Sequence, residues 1–380
     1  MAIRVSDRVW QRWRELAAQF EEPEIVLLFA STLSTGEAFD ALRAAASTAM
    51  RERAGRPEPG PGVEEVRTGH WSLAPAEGGV TIRIDEEPDD FEGLVRRIAE
   101  ELDGRGVDGS FDVFEPGQPL DLPQTAPLLE CRLRVRGVRA RLPNGKPRWK
   151  PESEALEAAV ADGVAWCVAN APGLPLQLLA GLVISTLGPD ADARALVRQA
   201  VEVTADVGVV VLTSAAPDRF RTLSVLPSGG RVTFVEGGAT LDGEGWRLSL
   251  RGLTGVLRSG ARWAVYGFVK RGSNRRAAED GMSLAEDWAP IDRFNPAVLS
   301  AEAFEDELVP DAFGVQLLGP AHACARPLGR WHETPIGAGA VLLEHPDLDA
   351  WFHSPTVPPD VLAAAREDLA PILLTRDDIG

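Results

Sequence analysis

Between Ile25 and Phe114 the pattern of apolar residues leaves few folds open. Ile25 to Ala30 is a compact apolar run of strand length, and Glu37 to Arg53 is alanine-rich and free of breakers, which predicts a helix. Val66 to Leu73 and Val80 to Ile84 flank Glu77-Gly78-Gly79, the signature of a hairpin, with Val80, Ile82 and Ile84 alternating against Thr81 and Arg83. Asp89 and Asp90 stand before Leu94, Ile98 and Leu102, with Gly104 after them, so a capped helix is expected there. Phe111 to Phe114 closes the series as a strand. The order β-α-β-β-α-β is that of the split βαβ, or ferredoxin-like, unit. Before it, Val9, Trp13, Leu16, Ala17 and Phe20 recur at helical spacing behind Ser6, a suitable N-cap.

Four prolines between Pro116 and Pro127 mark a connection. Cys131, Leu133, Val135 and Val138 then outline a strand whose other face is Arg132, Arg134 and Arg136, the strongest local positive charge in the chain. Helices are expected over Glu152 to Asn170 and Asp190 to Thr204, and strands over Val207 to Leu212, Phe220 to Leu226 and Arg231 to Val235. Trp246 to Leu257 reads as helix. From Trp263 the order strand, helix, strand, strand, helix, strand recurs to Leu374 with longer insertions. The fold expected is α+β, with two split βαβ units flanking a central α/β segment. Its segments are residues 1–115, a linker at 116–128, 129–262 and 263–380.

The 380 residues, 44% hydrophobic and 25% charged, suffice for several domains with a substantial core. A net charge of −18 excludes nucleic-acid binding through a general basic field. Cys131, Cys167 and Cys324 are odd in number and lack CxxC spacing, which argues against a disulfide framework or a zinc knuckle. Met1 to Phe20 lacks the apolar core of a signal peptide, and no run approaches the ~20 apolar residues that span a bilayer. A cytoplasmic protein without membrane contact is expected, and no cofactor is assigned.

The side chains suited to chemistry concentrate between Pro310 and Pro355. His322 and Cys324, two apart, share a face of an extended segment, and His332 with Glu333 or His345 would complete a tetrahedral site. The spacing lacks the close ligand pairs of a metal site, and Pro320, Pro327, Pro335 and Pro346 divide the region, so no metal is assigned. The catalytic alternative is a hydrolase or metal-dependent enzyme using His322, Cys324, His332 and Glu333. Lys270, Arg271, Arg275 and Arg276 follow a strand as an anion-binding loop would, and Trp331 stands beside the proline-divided loops as an exposed anchor for a partner.

The C-terminal third, with Val315-Gln316-Leu317-Leu318-Gly319-Pro320, a loop, Ala338 to Leu343 and a proline-started helix, resembles the immunity proteins of bacterial polymorphic-toxin and type VI secretion systems. The resemblance covers about a quarter of the chain. It implies a catalytically inert α+β protein that binds and blocks a partner, and the acidic composition suits an arginine- or lysine-rich target. Binding to a partner protein is therefore the expected function. The partner's identity and the oligomeric state are not encoded in any local pattern.

Overall fold

A computed structural model of the chain describes residues 3–21, 23–54, 71–85, 90–123, 125–141, 147–203, 208–241, 243–274, 305–322, 330–354 and 356–374. In chain order the strands and helices are β1 (Arg4–Val5), α1 (Asp7–Gln19), β2 (Glu24–Ser31), α2 (Thr35–Ala54), β3 (Trp71–Ala76), β4 (Gly79–Asp85), α3 (Phe91–Gly104) and β5 (Gly109–Val113). Next come β6 (Thr125–Val135), β7 (Gly137–Arg141), β8 (Pro147–Pro151), α4 (Ser153–Val168), β9 (Leu176–Ala180), β10 (Val183–Leu187) and α5 (Ala193–Val203). The remainder is β11 (Val210–Ala216), β12 (Arg219–Leu226), β13 (Arg231–Gly237), α6 (Trp246–Gly260), β14 (Ala264–Asn274), β15 (Val315–Leu318), β16 (His332–Gly337), β17 (Ala340–Glu344), α7 (Leu348–Phe352) and α8 (Pro359–Leu369). The class is α+β. Two compact units form, residues 1–119 with 177–204 and residues 120–176 with 205–380. This division differs from the four segments expected, because β10 and α5 return to the first unit and the strand from Ala264 continues the sheet of the second.

In the first unit the sheet runs β1-β5-β2-β4-β3, and its last four strands have the order and antiparallel pairing of a split βαβ unit. The register explains why it holds. Ile25 lies opposite Ile84, Leu27 opposite Ile82 and Phe29 opposite Val80, so one face carries three apolar cross-strand pairs. A slip of either strand by one residue would turn its three outward. On this core pack Leu42, Leu94, Ile98 and Leu102 from α2 and α3, and Trp13 of α1 stacks on Phe91 at 4.0 Å. Asp90 occupies the N-cap of α3 but its side chain makes no capping bond, and Asp89 lies outside the described residues.

In the second unit eight strands lie side by side in the order β11-β12-β13-β6-β14-β15-β17-β16, all antiparallel. One face is apolar: a row runs across it through Leu212, Leu223, Phe234, Cys131, Val269 and Val315. Helices α4 and α6 cover that face. Gly163 lets α4 approach the sheet closely, since a Cβ there would stand 2.4 Å from Leu223 Cδ1. The opposite face carries Ser224, Thr233, Arg132, Phe268 and Gln316 in one row, and these too are buried.

The strands expected to form a second split βαβ unit do not do so. That topology puts its first strand between the third and fourth, whereas β15, the second expected strand, lies between β14 and β17, and the expected fourth, Ile372 to Leu374, makes among the described residues only an isolated bridge of Leu373 with Val309. β16, where no strand was expected, pairs with β17 through a two-residue hairpin turn at Ala338 and Gly339, both at positive φ (49° and 79°). Helix geometry is adopted by Trp246–Gly260, as expected.

Gly79 sits where β4 crosses close to β2, and a Cβ there would lie 2.2 Å from the Phe29 carbonyl oxygen. Gly79→Ala is expected to lower the unfolding free energy by about 2–3 kcal/mol. Gly36→Ala, in α2 with no atom within 4 Å of the added methyl, should raise it by about 0.5 kcal/mol. Urea titration of the two variants beside the wild type checks both.

Candidate functional site

The structure separates the side chains that the sequence brings close. His322 follows β15 and is wholly buried, its ring 5.6 Å from that of Tyr266. Among the described residues neither ring nitrogen has a hydrogen-bonding partner of good geometry, although the carbonyls of Leu308, Glu305 and Gly319 surround it. Burial pushes its pKa below the usual imidazole range, against the opposing pull of the Leu308 carbonyl and the Asp306 carboxylate. His332 and Glu333 instead open β16, the last strand in the sheet, where both are exposed and strand alternation turns them to opposite sides. Cys324 lies outside the described residues. The catalytic set is thus divided between a sealed ring and an exposed edge. Among the described residues no three His, Cys, Asp or Glu side chains are gathered as a metal ion requires.

Burial also removes the other two thiols from chemistry. It raises Cys167 to about 12 and Cys131 well above its ordinary value, so both stay protonated and unreactive.

Trp331 is not an exposed anchor. It is 6% exposed, its Nε1 donates to Asp368 Oδ2 at 3.2 Å, and it meets His345 edge-on at 5.1 Å. His345 in turn contacts Trp351 at 5.7 Å while its Nδ1 accepts from the Asp347 amide at 3.1 Å. The β16–β17 register explains the placement, because pairing His332 with Glu344 brings the preceding Trp331 beside the following His345. The two tryptophans are buried and His345 is half-buried beside them.

Nor do Lys270 and Arg271 belong to a loop. Both lie inside β14, with Lys270 Nζ 3.6 Å from Glu130 Oε2 and Arg271 donating to the Phe352 carbonyl. Arg275 and Arg276 lie outside the described residues.

The arginine row of β6 is answered inside the protein rather than left as a positive patch. Arg132 donates to Glu130 Oε1 at 2.8 Å, and Arg134 to Glu305 Oε2 at 2.6 Å. Arg136, at the end of the row, pairs with Glu152 at 3.0 Å in a more exposed position. Arg132 also stands over the Phe268 ring at 5.7 Å. Nearby, Arg366 makes a two-pronged bond to Asp311, both contacts 2.7 Å. The one sequence signal for this network was Glu130, two residues before Arg132 and therefore on the same strand face. Glu305 and Asp311 come from another part of the chain.

A concave surface lies in the first unit, where the sequence offered no candidate. Residues 31–38, the β3–β4 turn and residues 190–199 enclose a cleft of about 340 Å³. Its apolar lining includes Ala38, Ala76, Ala195 and Leu196, and Leu33 stands exposed at its edge. Its charged lining residues are Glu77, Asp190 and Asp192, with no basic side chain among them. Two helices start at this cleft, and both N-termini already hold a carboxylate. Asp192 Oδ1 accepts from the Ala195 amide of α5 at 2.9 Å, and Glu37 Oε2 accepts from the Ser34 amide and hydroxyl before α2. These bonds from Ser34 hold the Glu37 carboxyl below its usual range. The cleft is therefore suited to a cationic group carried on an apolar stem and unsuited to an anion.

The buried pairs set one expectation. Glu130→Ala removes a buried counter-charge shared by Arg132 and Lys270 and should cost about 3–5 kcal/mol in a denaturant titration. His322 sets a second. The folded protein holds the ring neutral, so on acidification below about pH 6.5 the unfolded chain takes up the proton first and stability falls with pH. The share due to His322, at most about 1.4 kcal/mol per pH unit, should vanish in His322→Leu when unfolding is compared between about pH 7.5 and 5. No protein-family model matches the chain, and no curated protein matches it.

Proposed function

We propose that this is a non-catalytic protein that works by binding a partner protein, in the manner of the bacterial immunity proteins that its C-terminal third resembles. The observation that carries the reading is the cleft of the first unit, concave, partly apolar and lined by Glu77, Asp190 and Asp192 without a compensating base. A net charge of −18 extends the same preference over long range, steering a positively charged partner toward the surface. The partner presents a lysine- or arginine-rich segment, whose aliphatic stems lie on Ala38, Ala76 and Leu196 while the charged heads meet the carboxylates. Each exposed pair contributes only about 0.2–1 kcal/mol, so recognition needs several basic side chains and weakens with salt.

The separation of His322 from His332 and Glu333 supports binding over catalysis, since a general base must reach the proton it takes. Among the described residues no helix is long and apolar enough to cross a membrane, which is compatible with the cytoplasmic setting proposed here.

Affinity capture from the native cell, with the full chain as bait, tests the reading. The wild type should retain a stoichiometric partner that salt releases. Glu77→Lys combined with Asp190→Lys should weaken retention about tenfold or more, equivalent to about 1.4 kcal/mol. Equal retention by the double variant, or a partner whose contact segment is acidic, overturns the proposal.

A further inference from the structure

Helices α4 and α6 lie side by side on the apolar face of the eight-stranded sheet, and Asp162 of α4 accepts a bond from Trp263 Nε1, just beyond α6, at 2.9 Å. Their inward faces are accounted for by the sheet. Their outward faces are not those of ordinary surface helices. On α4 the outward row, apolar and mostly small, is Ala158 and Ala161, half-buried, and Ala165 and Val168, exposed. On α6 it is Leu248, Gly252, Gly255 and Ser259, all exposed, with Val256 half-buried at its edge and Leu248 68% exposed. No atom lies within 4 Å of a Cβ built on Gly252 or Gly255, so packing within the chain gives no reason for glycine there. Each nevertheless costs the helix about 1 kcal/mol relative to alanine. Glycines on an open helix face allow close approach by another backbone.

The charges beside these rows are segregated. Helix α4 carries Glu154, Glu157 and Asp162 and no base, while α6 carries Arg247, Arg251 and Arg258 and no acid. Arg247 also pairs with Glu244 and Asp349, Arg258 with Glu344, and Asp162 with Arg262, whereas Arg251 donates to the Arg247 carbonyl at 3.4 Å. A uniformly acidic partner would face the α4 carboxylates, and a uniformly basic one the α6 arginines. A second copy related by a twofold axis satisfies both, because each copy's α4 then lies against the other's α6 and every acidic row meets a basic one.

We infer that the outward face of α4 and α6 is the contact between two copies of this chain, with Leu248 and the open glycines at its centre and the acidic and basic rows in register around it. The inference is independent of the acidic cleft, and either can fail alone.

Sedimentation equilibrium of the full chain tests it. The wild type should be a dimer, and Leu248→Glu, a change at an exposed site that leaves the fold intact by circular dichroism, should halve the mass. Two charge-reversed chains provide the sharper test: one carries R247E, R251E and R258E, the other E154R and E157R. Each alone should be monomeric, and mixed in equal amounts they should form a heterodimer, because both α4–α6 contacts then again join opposite charges. A wild type that sediments as a monomer overturns the inference, whether its face is bare or kept for a different protein. So does a dimer that survives Leu248→Glu or both reversals unchanged.

Discussion

A charged strand face buried in the middle of a sheet must find its counter-charges, and strand β6 imposes that condition on the second unit. Its odd-numbered residues, Leu129 to Val135, feed the apolar layer under α4 and α6. Its even-numbered residues, Glu130, Arg132 and Arg134, are buried on the other side. An unpaired ion there would cost several kcal/mol, more than most single apolar contacts return. Neighbouring strands and distant segments must therefore supply the partners. Lys270 comes from β14, and Glu305 comes from 171 positions away in sequence. Such a network contributes little net stability over a well-packed apolar core. Its consequence here is positional, since Arg134 can be satisfied by Glu305 only when that segment is seated against the sheet.

The same condition explains why the chain's most conspicuous charges make poor functional candidates. Arginines that read as a positive patch are internal ion pairs, and His322, Trp331 and Trp351 are absorbed into packing, with His345 joining the two tryptophans in one aromatic cluster. What remains for recognition is surface of a different kind. The first unit offers a concave acidic cleft, and the second offers two helices whose outward faces are apolar between an acidic and a basic row. The two surfaces differ in chemistry, one uniform in sign and one self-complementary, so they suit different occupants.

The first split βαβ unit was legible because its information is local. Ile25, Leu27 and Phe29 and the alternating Val80, Ile82 and Ile84 declare both the strands and the face that must be covered, and the Gly78-Gly79 turn fixes how two of them pair. β14, β15 and β17 were also legible one by one, but β16 was not, nor was the arrangement of the four. Whether β14 and β15 are neighbours depends on pairing across a long connection, and no periodicity within either strand encodes it. The acidic cleft was invisible for the same reason, since Thr35, Glu77 and Asp192 belong to three separate segments.

Sequence by itself determined most of the helices, many of the strands, the α+β class, the acidic balance and the fact that β6 would be apolar on one side and charged on the other. Those are properties of spacing, and spacing of two or of 3.6 residues survives in a linear string. Tertiary structure alone decided which charges neutralise each other, that Trp331 and His322 go inside, and that carboxylates remote in sequence share one concavity. Burial and counter-charge are relations between segments, and the free energy that selects among them is released only when those segments meet.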